Sequence, residues 1–240
     1  MKDAHEAAER LTKMVHEGKH TIPEEHAPLV CKPRVVEPWR IFKIMNEFVE
    51  GFDILRRHGL AATFFGSARQ SLSADMYKKA EELSGRLSKR GFSIITGGSS
   101  GIMHAANKGA FDAGGASVGL NVRLTDTQNY NPYLTEKFVF DHFFVRKVML
   151  TYASEVYIYF PGGFGTLDEF FEIVTLVQTK KIKKVPIVLF GKAYWGSLAS
   201  FINTTLFETY QTIDDVDREL YHIVDTVDEA YEYITNTVTC

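Results

Sequence analysis

The run Pro161-Gly162-Gly163-Phe164-Gly165-Thr166-Leu167-Asp168-Glu169 sets three glycines before a helical pattern and places carboxylates at its start. Glycines let a backbone approach a ligand closely, and the free N–H groups and macrodipole at the following helix's N-terminus favour a phosphate. Two more glycine-bearing turns follow apolar runs, Phe65-Gly66-Ser67-Ala68-Arg69 and Thr96-Gly97-Gly98-Ser99-Ser100-Gly101. A tight strand-to-helix turn needs glycine whether or not it binds anything. Three such turns at one edge of a sheet favour phosphate. Thr166-x-x-Glu169 also has the form of a capping box, in which Glu169 would only satisfy a backbone N–H. Against this, Leu167, Phe170, Phe171, Val174 and Val177 form the apolar face and leave Asp168, Glu169 and Glu172 on the other side. Placed in the first turn, Glu169 is expected to be held ionised by the helix dipole, which suits a base or a stabiliser of developing positive charge. Arg146 and Lys147 open the preceding helical pattern. Cations there oppose the dipole at about 0.3–1 kcal/mol each. An anionic ligand or Glu169 would compensate Arg146, while Lys147 reads as part of a solvated face.

Several chemistries are disfavoured. No G-x-x-x-x-G-K-[ST] sequence is present, Gly97, Gly98 and Gly101 do not have G-x-G-x-x-G spacing, and Asn121 stands where a dinucleotide fold would place an acidic residue for the ribose. A P-loop NTPase and an NAD enzyme are therefore not expected. The histidines, His104 and His142 among them, lack metal-ligand spacing, and Ser67 and Ser99 lack the context of a nucleophile. No metal or cofactor is expected. Tyr130, Tyr133, Phe138, Phe140, Phe143 and Phe144 read as core or interface aromatics. A net charge of −3 without a long basic run argues against polymeric nucleic acid. Cys31 and Cys240 form no disulfide framework, and no apolar run approaches membrane-spanning length, so a cytoplasmic location without membrane association is expected.

These residues need a scaffold. Strands are expected over Leu60 to Phe65, Ser93 to Thr96, Ala116 to Leu120, Lys137 to Phe140, Val156 to Phe160, Pro186 to Phe190 and His222 to Val224. Helical patterns lie between most of them, over Ala74 to Arg90, Gly101 to Ala113, Leu167 to Thr179 and Val227 to Ile234. Alternation of this kind requires crossover connections, hence an α/β fold with a parallel sheet and helices on both faces, whose ligands sit at the carboxyl ends of the strands. Residues 1 to 57 read as an N-terminal helical arm: a polar helix around Ala4 to Glu17, a link with Pro23, Pro28, Pro33 and Pro38, then an amphipathic helix from Trp39 to Arg57. The arm is expected to pack on the domain of residues 58 to 240 or on a second subunit.

The run from Pro161 to Glu169 resembles the P-G-G-x-G-T-x-x-E motif of the LOG (LONELY GUY) family, and Phe144-Val145-Arg146-Lys147-Val148-Met149 resembles its R-K-x-x-M element with the methionine one position earlier. The resemblance extends from about Leu60 to Trp195. It implies a Rossmann-like fold without NAD, a homo-oligomer of two or more subunits, and hydrolysis of purine nucleoside 5'-monophosphates, such as AMP or cytokinin riboside 5'-monophosphates, at the N-glycosidic bond. It also implies a catalytic pair, Arg146 and Glu169, and substrate-binding positions at Ser67, Gly98, Met149, Gly162, Gly163, Gly165 and Thr166. Ser99 replaces the family's third loop glycine and His104 stands where longer members often have glutamate, departures that bear on base preference and phosphate affinity. A nucleotide-binding or carrier protein without turnover is the alternative on the same fold. The pair Arg146 and Glu169 favours the enzyme.

Overall fold

In the computed structural model, β1 (Ala61–Phe65) is the middle strand of a seven-stranded sheet. On one side of it lie β2 (Ser93–Thr96), β3 (Ser117–Val122) and β4 (Glu136–Phe140); on the other lie β5 (Val156–Tyr159), β6 (Ile187–Phe190) and β7 (His222–Val224). Every pairing is parallel, and the spatial order is β4-β3-β2-β1-β5-β6-β7. The fold is α/β and Rossmann-like, as the strand-helix alternation requires. The described residues are 37–69, 73–123 and 131–238, with 9, 10, 12–14 and 17.

Alternation along each strand divides the core into two layers. Ala61 and Phe65 of β1, Tyr157 and Tyr159 of β5, and Ile187 and Leu189 of β6 face one side. There they meet α1 (Pro38–Leu55), α4 (Phe143–Thr151), α5 (Phe164–Gln178) and α6 (Lys192–Phe201) through buried residues such as Leu55, Met149, Phe170 and Trp195. Ala62, Phe64, Ile158 and Phe190 face the other side, covered by α2 (Ala74–Lys89), α3 (Ile102–Asp112) and α7 (Val227–Thr237). The inner strands β1, β5 and β6 are buried on both faces and read as near-continuous apolar runs, whereas the edge strands β4 and β7 are only partly buried.

The chain divides into two compact units at Arg40 and Ile41, so the expected arm of residues 1 to 57 is itself divided. In the first unit, residues 9, 10 and 12–14 are helical; Pro23, Pro28 and Pro33 lie outside the described residues. Nearly all of α1 belongs to the second unit, because Ile54 and Leu55 are buried in its core. Glu47 also reaches from α1 to the N-terminus of α4. Its carboxylate accepts the backbone N–H of Asp141 (3.0 Å) and His142 (3.2 Å), and one oxygen lies 3.0 Å from His142 Nδ1. The helix starts at Phe143, earlier than expected, so Arg146 closes its first turn and Lys147 falls in the second; the Glu47 anion at this N-terminus offsets part of the cost of placing Arg146 there.

Candidate active site

The sheet order reverses between β1 and β5, and in such sheets the cleft outside the strands' carboxyl ends at that point is where ligands bind. Here the two loops are tied together by the Ser67 N–H, which donates to the Pro161 carbonyl at 3.0 Å. A cavity of about 330 Å³ opens beside this contact. Residues from all three glycine loops line it, with Arg146 and Phe143 of α4, Met103 of α3 and Glu169 of α5.

The loop from β5 sets the start of α5. Gly162 has no room for a side chain, since an added Cβ would overlap Thr166 Oγ1, and its carbonyl accepts a hydrogen bond from the Tyr194 hydroxyl at 2.7 Å. The N-cap is Gly163, with no side-chain cap among the described residues; its carbonyl accepts the N–H groups of Thr166 (3.0 Å) and Leu167 (3.1 Å), so those of Phe164 and Gly165 are left without a carbonyl partner inside the helix. Helix α5 therefore begins at Phe164, earlier than the expected Leu167. Thr166 is consequently inside the first turn and not at the N-cap, and the Thr166–Glu169 capping box is not formed. Glu169 falls in the second turn. It is buried, with 5% of its surface exposed, at the cavity wall.

Burial changes the electrostatics of Glu169. Its Oε2 atom is buried with no hydrogen-bond partner among the described residues, and desolvation pushes the carboxyl from 4.5 up to about 7. Lys147 and Arg146 pull it down, while Glu172 and Asp168 push it up. The expectation that the helix dipole would keep this group firmly ionised is thereby corrected: removal from water outweighs a dipole effect that is strongest in the first turn. Arg146 faces the same cavity. Burial lowers the pKa of its guanidinium and the nearby Glu169 charge raises it, so the pair interact. The Arg146 Nε–H donates to the Leu120 carbonyl at 2.7 Å, which fixes the side chain across the end of β3.

Lys147, expected on a solvated face, clamps α4 to α5 instead. Its Nζ lies 2.5 Å from Asp168 Oδ2 and 3.2 Å from Glu172 Oε2, both within a turn of Glu169. Burial works against its charge, but the hydrogen bonds with Asp168 and Glu172 and the nearby Glu169 leave its pKa raised.

Ser67, Gly163, Gly165, Thr166, Arg146 and Glu169 are brought together around the cavity, as the sequence suggested. Gly98 and Met149 are not. Gly98, at φ +66°, has its N–H bonded to Thr96 Oγ1 at 2.8 Å and its carbonyl to Asn121 Nδ2 at 2.9 Å. Its neighbour Gly97 faces the cavity. Met149 is fully buried toward α1, where an added Cβ on Gly51 would come within 2.6 Å of its sulfur. Gly162 shapes the loop from behind through Thr166. Neither Ser99 nor His104 lines the cavity; His104 Nδ1 is 2.5 Å from the Tyr77 hydroxyl. Sequence reasoning missed Gly97, Met103, Arg69 and Phe143 as lining residues. Phe143, read as a core or interface aromatic, is half exposed at the cavity wall. Its position three residues before Arg146 was the available signal.

A family model described as "Possible lysine decarboxylase" matches residues 103–234. A probable cytokinin riboside 5'-monophosphate phosphoribohydrolase of Oryza sativa subsp. japonica is 29% identical over 133 residues, which is 55% of this chain and 54% of its own length. The chain thus spans about half the length of that relative. The cytokinin riboside 5'-monophosphate phosphoribohydrolase of Rhodococcoides fascians is 26% identical over 157 residues, 63% of this chain and 78% of its own. Among solved structures, the molybdenum cofactor carrier protein of Chlamydomonas reinhardtii matches with TM-score 0.59 at 22% identity, covering 74% of this chain and 96% of that one. That likeness concerns the fold alone. With its sequence model matched over more than half of the chain, this protein belongs to the LOG family, the group that carries the lysine decarboxylase description.

Proposed function

We propose that the protein hydrolyses the N-glycosidic bond of purine nucleoside 5'-monophosphates carrying adenine or an N6-substituted adenine, releasing the free base and ribose 5-phosphate. The observation that carries this reading is the buried Glu169 carboxyl, with an oxygen unpartnered among the described residues, beside Arg146 in a cavity floored by glycine loops. The names of the rice and Rhodococcoides relatives support the reaction class.

In this mechanism the N-terminus of α5, with Ser67, Gly163, Gly165 and the Thr166 hydroxyl, holds the 5'-phosphate. Phosphate held there is remote from the scissile bond and orients the ribose toward Glu169. As the bond from C1' to the base nitrogen breaks, the electron pair leaves with the base and positive charge develops on the ribosyl ring. Ionised Glu169 stabilises that charge and takes a proton from the water whose oxygen bonds to C1'. Arg146, fixed by the Leu120 carbonyl, positions the substrate and balances its negative charge. The departing base acquires a proton, so free base and ribose 5-phosphate account for all atoms of substrate and water.

A Glu169→Gln variant keeps the shape of the side chain and removes its ionisation. It is expected to fold and to release adenine from AMP at least about 10²-fold more slowly than wild type. A folded variant with near-wild-type turnover would contradict the role of Glu169. Absence of base release by the wild type from any monophosphate tested would leave the nucleotide-binding or carrier alternative, which has no use for a carboxylate facing the ribose.

A further inference from the structure

The turn at Gly97 and Gly98 walls one side of the cleft, and buried amides and hydroxyls hold it from behind. Thr96 Oγ1 accepts the Gly98 N–H at 2.8 Å and donates to Asn107 Oδ1 at 2.6 Å. Asn107 Nδ2 donates to Ser117 Oγ at 2.8 Å, and Asn131 Nδ2 donates to Asn107 Oδ1 at 3.1 Å. On the other side of the turn, the Gly98 carbonyl accepts from Asn121 Nδ2 at 2.9 Å and from the Asn131 N–H at 3.4 Å. Thr96, Asn107, Ser117 and Asn121 are fully buried. Polar groups so removed from water favour a single geometry, because other arrangements leave donors or acceptors unpaired.

Asn121 differs from the rest of this cluster. Its Oδ1 atom is buried with no hydrogen-bond partner among the described residues. An unpaired buried acceptor costs stability, so what the amide contributes at this position is its one bond to the turn.

The place of Asn121 in the chain gives that bond a consequence. Leu120, one residue earlier on β3, presents its carbonyl to the Arg146 Nε–H at 2.7 Å. Among the described residues this is the only hydrogen bond of the guanidinium, so packing must complete its positioning. That packing is against the turn: Nη2 of Arg146 occupies the space beside the Cα of Gly97. Two successive residues at the end of β3 thus hold both partners of one contact. Leu120 fixes the near end of the guanidinium, and Asn121 fixes the turn on which the far end rests.

We infer that Asn121 is a positioning residue for Arg146, acting through the Gly97-Gly98 turn. Its effect on the rate rests on the hydrolysis proposed above, whereas its effect on the place of Arg146 does not.

The test combines crystal structures of wild type and Asn121→Ala with AMP kinetics of wild type, Asn121→Ala, Arg146→Ala and the double variant, each checked for folding by thermal melt. In Asn121→Ala the guanidinium is expected to move by about 1 Å or more, and kcat/KM for AMP to fall about tenfold or more. In the Arg146→Ala background the same substitution is expected to cost less than about twofold, because no guanidinium remains to be misplaced. Asn121→Ser, polar but one bond shorter, is expected to give the same pattern and decides the matter if the alanine variant does not fold. An unmoved Arg146 or an unchanged rate would overturn the inference. So would a loss of equal size in both backgrounds, which would make Asn121 a general support of the fold. If the wild type releases no base from any monophosphate, the hydrolase reading fails, and the place of Arg146 in the two structures still decides whether Asn121 positions it.

Discussion

A Cβ added to Gly97 would overlap Nη2 of Arg146 and lie 2.9 Å from the sulfur of Met103. The space that a side chain would fill at the end of β2 is occupied by the guanidinium. The φ of Gly97 lies outside the left-handed region, so alanine can adopt the backbone and acts on the site through steric contact. Gly97→Ala is expected to fold and to lose about 10²-fold in AMP turnover, the scale associated with misplacing a catalytic group by about 1 Å. Turnover and a thermal melt of the same preparation check this. An unchanged rate would show that the position of Arg146 does not matter.

The ionisation of Glu169 sets the second expectation. Burial pushes this carboxyl up to about 7, and the ionised form is the one that accepts a proton from water. Turnover should therefore rise with pH through about 7, not through the ordinary carboxylate range. Lys147 is the strongest influence pulling the value down. Lys147→Met should accordingly move the rising limb to higher pH, as kcat–pH profiles of the two proteins would show. An identical limb in both, or one below about pH 5, would separate the rate from Glu169 ionisation.

The same shift makes a prediction about stability with its own sign. The folded protein keeps a proton on Glu169 to about pH 7, whereas the unfolded chain releases it near 4.5. Between those values the folded state binds more protons, so the contribution of Glu169 to stability is lost as pH rises. Gln does not titrate. Glu169→Gln should match wild type below about pH 4.5 and become more stable on the order of 1–3 kcal/mol above about pH 7. Urea melts at about pH 5 and about pH 8 test this. A difference that does not grow with pH would mean that Glu169 is not destabilised by burial.

Much of this architecture was legible because the physics behind it is local. The inner strands are buried on both faces, so Ile94-Ile95, Val156-Tyr157-Ile158-Tyr159 and Ile187-Val188-Leu189-Phe190 stand out as short apolar runs. The spatial order of the strands was not legible, since one sequence records which segments are strands but not which are neighbours. Helix α6 was overlooked: Gly196 interrupts its pattern, and it continues into a π-helical stretch, Ile202–Thr209, rich in β-branched threonine. Periodicity grouped Glu169 with Asp168 and Glu172 and could not show that this side of α5 is covered by α4. The choice of Gly97 over Gly98 depended on the cross-strand hydrogen bond from Asn121 to the Gly98 carbonyl. Met149 sits one turn beyond Arg146 and only about 60° round the helix, yet it is buried toward α1, with its sulfur against Gly51, and does not line the cavity.

The measurement closest to the central claim compares initial rates for AMP and adenosine at matched concentrations, with adenine and ribose 5-phosphate quantified together. If the N-terminus of α5, with Ser67 and Thr166, binds the 5'-phosphate and spends that energy on positioning the ribose, removing the phosphate lowers kcat as well as raising KM. The expected result is equimolar adenine and ribose 5-phosphate from AMP, with adenosine cleaved far more slowly or not at all. Equal specificity constants for AMP and adenosine would contradict the account.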